Sequence, residues 1–145
     1  MIDLRIKDMF FDRPKVMRAV DRANRQSLSK AGAFVRQSAR TSIRKRKGTS
    51  PAGSPPYSHE GSLRKWILFG YDPANESVVV GPVGFRKSEA PNVLEFGGTT
   101  TIYRRKGARL IPKRVKIAPR SFMAPALEKE RPKLPALWRN SVRGS

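Results

Sequence analysis

The sequence predicts an α+β fold in a single domain: a small antiparallel sheet of three to five strands packed against one long N-terminal helix and a shorter C-terminal helix. Three observations predict it. The stretch from Lys15 to about Lys47 contains no proline and a single glycine, Gly32. Two apolar runs, 63–71 and 77–83, flank the turn sequence Asp72-Pro73-Ala74-Asn75. A last apolar segment through Phe122, Met123, Ala126 and Leu127 starts behind a capping residue, Ser121. A length of 145 residues suits one domain.

Taken in order, Ile2, Leu4 and Ile6 alternate with Asp3 and Arg5, the period-two pattern of a short first strand. Pro14 suits the first turn of the helix that follows, and Gly48 breaks it; Gly32 is the expected place for a bend. On a helical wheel Val16, Val20, Ala23, Ser27, Ala31, Phe34 and Ser38 share one face. Arg18, Arg22, Arg25, Arg36, Arg40 and Lys47 share the opposite one. The small residues on the first face predict close packing of a sheet or a second helix.

From Gly48 to Gly61 the chain reads GTSPAGSPPYSHEG, which predicts a loop at 48–60 acting as a flexible arm. The hairpin follows. Ala90 to Gly98 is a short apolar-acidic piece ending in Gly97-Gly98. The basic stretch Thr99 to Ala118, with a turn at Gly107, predicts a loop or ribbon leading into a strand over 114–118. Ser121 caps the last helix, Pro132 and Pro135 interrupt it, and order is not expected beyond Val142.

Charge carries the functional reading. Lysine plus arginine number 31 against 11 aspartates and glutamates, a net charge of +20. Copies of such a chain repel one another, and phosphates turn that repulsion into attraction, so a polyanion is the expected partner. No apolar run approaches the roughly 20 residues of a membrane span. Residues 1–6 lack the apolar core of a secretion signal, so the chain is expected to be cytosolic when made and to need no membrane. The absence of cysteine removes disulfides, thiolate metal sites and cysteine nucleophiles together.

An enzyme is not expected, and no cofactor is implied. His59, the only histidine, sits in the Pro/Gly/Ser loop with no second histidine or cysteine to pair with. Glu95, in VLEFGG, reads as a partner for nearby arginines. Gly81-Pro82-Val83-Gly84 lacks the following Lys-Ser or Lys-Thr of a phosphate loop. The arginine face of the long helix reads either as a solvated surface or as a rail tracking phosphates, with Arg104, Arg105 and Lys106 as a second patch. No helix-turn-helix, zinc-finger or RNA-binding signature is present, so binding to double-stranded DNA would be indifferent to sequence.

Three stretches, in order, resemble the tail-completion or head-to-tail joining (minor tail, neck) proteins of long-tailed bacteriophages. Pro55-Pro56 followed by Gly61-Ser62-Leu63-Arg64 is similar to the family's "Pro…Thr-Gly-x-Leu-Arg". Val93-Leu94-Glu95-Phe96-Gly97 is similar to "Val-Glu-Phe-Gly-Thr", with Gly98 in place of the threonine. Pro119 to Leu127, with Phe122, Pro125, Ala126 and Leu127, is similar to "Pro-Phe-hydrophobic-x-Pro-Ala-Leu". The resemblance spans roughly residues 14 to 130.

It implies a virion protein at the neck-tail junction, made in the host cytoplasm and assembled as a homo-oligomeric ring, a hexamer, around the genome channel. Connector proteins would lie on the head side and the tail terminator or tail tube on the other. The alternative from another class is a free-standing, sequence-independent nucleic-acid-binding protein of ribosome-associated or nucleoid type.

Overall fold

A computed structural model describes residues 12–85 and 89–142. The predicted strand at 2–6 and the chain end beyond Val142 lie outside the described residues. The elements run in the order α1 (Arg13–Ser42), α2 (Ser62–Lys65), β1 (Ile67–Asp72), β2 (Ser77–Pro82), α3 (Ala90–Phe96), β3 (Gly98–Lys106), β4 (Arg109–Ile117) and α4 (Met123–Glu130). A 3₁₀ segment, Arg131–Leu137, continues from α4. The fold is α+β, with a long N-terminal helix and a short C-terminal one.

Asp12 starts α1 by accepting the amide of Lys15 at 3.0 Å, and Pro14 sits in the first turn, where a missing amide costs nothing. The helix ends at Ser42, short of the expected Lys47. There Ile43 turns to extended backbone and is almost wholly buried in the core, while the hydroxyls of Thr41 and Ser42 fold back onto carbonyls of the last turn. Gly32 lies inside an uninterrupted helix and has a packing role. A Cβ built there would lie 2.6 Å from Val78 Cγ2 and 2.9 Å from Phe69 Cδ2. The β1–β2 hairpin crosses α1 at that glycine.

The four described strands form two separate antiparallel pairs rather than one sheet. In the first, Phe69 faces Val80 and Tyr71 faces Val78 across the ladder. Asp72 holds its turn, accepting the amide of Ala74 at 3.0 Å and the side-chain amide of Asn75 at 2.8 Å. The second pair runs from Gly98↔Ile117 to Lys106↔Arg109 and closes on Gly107, whose φ of +63° is that of the first central residue of a II′ turn.

The core is small: Ala39, Ile43, Ile67, Phe122 and Ala126, with Leu63, Val80, Leu94 and Met123 around it. It sits where the C-terminal third of α1 meets the start of β1 and the side of α4. The predicted small-residue face of α1 packs as expected at Ala23, Ser27 and Ala31, all buried. Ser27 Oγ donates to the carbonyl of Leu137 at 2.9 Å, and Ser38 Oγ to Glu130 Oε1 at 2.5 Å. Val16, Val20 and Phe34, from the same face, stay exposed.

The stretch expected to be a free arm is pinned at several points. Ser58 donates to the carbonyl of Arg44 at 3.0 Å, Gly53 donates to that of Pro119 at 3.0 Å, and Ser50, Pro56 and Ser58 are buried. Arg120 Nε donates to the carbonyl of Ser50 at 2.9 Å. The loop's polar backbone finds partners in the chain just after α1 and in the distant segment between β4 and α4, which composition alone does not reveal.

Candidate nucleic-acid interface

The β3–β4 ribbon extends roughly 30 Å in nine-residue strands. It carries Arg104, Arg105, Lys106, Arg109, Lys113, Arg114 and Lys116 with no acid between Gly98 and Ile117. Strand alternation and the pairing register divide these cations between the two faces. One face holds Arg105, Arg114 and Lys116 beside Tyr103 and Leu110; the other holds Arg104, Lys106, Arg109 and Lys113 around Ile111. All seven are exposed. Lys106 sits directly opposite Arg109, a like-charge pair that costs stability unless an anion lies between. The base of the ribbon packs on α3, and the tip stands clear of the core.

The arginine stripe of α1 divides into groups with different surroundings. Arg36 is half-buried, and its Nε donates to the carbonyl of Ile67 at 2.9 Å, where β1 begins. The guanidinium of Arg25 lies over the ring of Tyr71, 5.3 Å from its centroid. Both therefore contact the hairpin on either side of Gly32, Arg36 half-buried and Arg25 still exposed. Arg40 is half-buried near the helix end. Arg18 and Arg22 line an open cleft of ≈ 860 Å³ between α1 and the C-terminal 3₁₀ segment.

Most of the residues carrying the family resemblance serve the fold, while Arg64, Phe96 and Leu127 are exposed. Gly61, with φ +82°, starts α2; Leu63 packs on the core, and Arg64 is exposed. Glu95, expected to pair with arginines, caps α4 instead. Its Oε2 accepts the amides of Phe122 at 2.9 Å and Met123 at 3.0 Å, and its Oε1 accepts that of Ala124 at 2.9 Å. The carboxylate is buried, 8% exposed.

Ser121, expected to cap α4, donates to the Glu95 carbonyl at 2.7 Å and leaves the helix amides to the carboxylate. Gly97, at φ +75°, lets Pro119 approach: a Cβ there would meet Pro119 Cδ at 3.0 Å. Phe122 and Ala126 fill the core, Pro125 is exposed in the first turn, and Leu127 and Phe96 point outward, Phe96 being 79% exposed. His59 Nε2 lies 2.9 Å from the carbonyl of Gly48 and ties the two ends of the pinned loop.

Sequence reasoning placed all seven cations of the ribbon in one basic stretch around Gly107 and singled out Arg104, Arg105 and Lys106 for DNA contact; the division of the seven between two faces comes from the pairing register. It missed Lys15, Lys30 and Arg139, which join Arg18 and Arg22 at the cleft. No family model, curated protein or solved structure matches this chain.

Proposed function

We propose that this chain is a structural protein of a long-tailed bacteriophage particle, a tail-completion or head-to-tail joining subunit that lines the genome channel with positive charge. In this reading copies close into a ring, a hexamer, between head-side connector proteins and the tail terminator or tube. Each subunit contacts double-stranded DNA through phosphates, without regard to base sequence, and no catalytic group or cofactor takes part. Closed symmetry would turn one basic element per subunit into a collar.

The observation that carries the reading is the ribbon: seven cations on two faces, no acid, and a tip standing away from the core. A two-stranded ribbon has the width to enter a major groove or follow a strand of phosphates. The resemblance in three ordered motifs supplies the neck, and α3 with α4 gives two of those motifs one physical purpose, because Glu95 of one caps the helix begun by the other.

The test is genetic and biochemical. Removing the gene from its phage should yield DNA-filled heads and separate tails, and adding the purified chain should restore infectious particles. Normal titre without the gene overturns the proposal.

A further inference from the structure

The structure assigns a second anion site: we infer that the cleft between α1 and the 3₁₀ segment seats a phosphodiester chain, separately from the ribbon. This rests on the nucleic-acid reading above and adds a site to it. Five cations line the cleft: Lys15, Arg18, Arg22 and Lys30 from α1, and Arg139 from the chain beyond the 3₁₀ segment. No carboxylate among the described residues lines it, and none of the five side chains has an ion pair or hydrogen bond among them. Five like charges around one concavity repel one another; water and salt screen that repulsion in part, and an anion seated inside turns it into attraction.

Spacing and shape select the class of anion. Along α1 the cations at 15, 18, 22 and 30 extend over roughly 22 Å, with steps of about 6 Å between positions four apart. Gln26 fills the one step in that series without a charge. A regular row of this length suits a polymer with a charge at every unit, and would hold three or four phosphates.

Among the described residues the floor is made of Ala19, Ala23, Ser27 and Ala136, with Leu137 the only large apolar side chain lining the cleft. An acidic peptide docks by seating anchor side chains in pockets, and this floor offers them almost nothing to fill. Three guanidiniums present planar forks that match phosphate oxygens two at a time. The phosphodiester chain could be one strand of a duplex, its ridge entering the groove, or a single strand lying along it.

The site is tested on the full chain with a labelled thymidine tetranucleotide, a 20-base-pair duplex and a hexaglutamate competitor. Two charge-matched triple variants are compared: Arg18→Gln, Arg22→Gln, Lys30→Gln in the cleft, and Arg104→Gln, Arg105→Gln, Lys106→Gln on the ribbon. The cleft variant should weaken tetranucleotide binding at least about tenfold more than the ribbon variant and lower its salt slope by about 0.7 per lost contact. Thermal unfolding of both variants checks that each is folded, and equal loss of duplex affinity in the cleft variant marks the strand as part of a duplex.

Three results overturn the site: equal loss from both variants, tetranucleotide binding that the cleft variant leaves unchanged, or hexaglutamate displacing the tetranucleotide at lower concentration than the tetranucleotide itself needs. If the duplex depends on the ribbon and the cleft is inert, the nucleic-acid reading stands and the cleft site falls. If neither variant changes any nucleic-acid binding, both fall.

Discussion

The carboxylate of Glu95 holds the amide of Phe122 at 2.9 Å, and through it the whole N-terminus of α4. A helix leaves its first four amides without partners inside the helix. In α4 these belong to Phe122, Met123, Ala124 and Pro125, and Pro125 has no N–H. Glu95 accepts the other three, so a single side chain from α3 satisfies every donor at that end and places its negative charge at the positive end of the helix dipole.

Replacing Glu95 by glutamine keeps the size of the side chain and removes the charge and one acceptor. At least one buried amide is then unpaired, at a cost of about 1 to 3 kcal/mol. Urea unfolding of Glu95→Gln should show a lower midpoint at unchanged slope. Glu95→Ala, which strands all three amides, should fall further. A midpoint equal to that of the parent chain would mean that water caps the helix equally well.

Elements set by local pattern were legible in the sequence. The span free of proline produced α1, and the turn at Asp72 produced the first hairpin. What could not be read were the long-range polar contacts. Nothing local in VLEFGG shows that Glu95 reaches residues 27 to 29 positions away. The wheel grouped Arg25 and Arg36 with Arg18 and Arg22, because the hairpin that captures the first two crosses at Gly32, a position that reads from sequence as a bend. The ribbon was read only in part: its cations fall on both faces, which erases the alternation that marks a half-buried strand.

Gly32 makes the hairpin crossing testable. Alanine is favoured over glycine inside a helix by about 1 kcal/mol, so Gly32→Ala on an open helix would stabilise the chain. Here the added methyl collides with Val78 and Phe69 in a packed contact, and overpacking of this kind costs typically 1 to 3 kcal/mol. The net expectation is a lower melting temperature. A higher one would show that the hairpin does not rest on α1 at that point.

Glu130 predicts a pH response. The Ser38 hydroxyl and then the Lys133 ammonium, 2.9 Å away, hold its carboxyl below the ordinary value of 4.5. A group whose folded pKa is depressed contributes stability above its unfolded pKa and loses that contribution as pH falls through the folded value. The parent chain and Glu130→Gln should therefore differ by a constant amount above pH 4.5 and converge at more acid pH. A stability difference that stays constant as pH falls below 4.5 would remove the carboxylate from the account.

The split of the basic residues gives the last prediction. Arg104, Arg105 and Lys106 are exposed at the ribbon tip, with only a 3.3 Å contact from Arg105 to the carbonyl of Gly107. Changing all three to glutamine should leave the melting temperature within a degree or two of the parent and lower duplex affinity for every base sequence alike. The slope of log affinity against log salt should flatten by up to about 2.7, at 0.9 per phosphate neutralised.

Arg25 and Arg36 should behave in the opposite way. Arg36→Gln removes the donor to the Ile67 carbonyl, and Arg25→Gln removes the charge over Tyr71, so the double variant should unfold earlier and keep nearly the parent salt slope. Measuring melting and salt slope on both variants separates clasp from contact. If Arg25 and Arg36 flatten the slope as strongly as the ribbon cations while stability holds, the α1 stripe is the phosphate rail after all and the ribbon loses its place as the principal DNA-facing element.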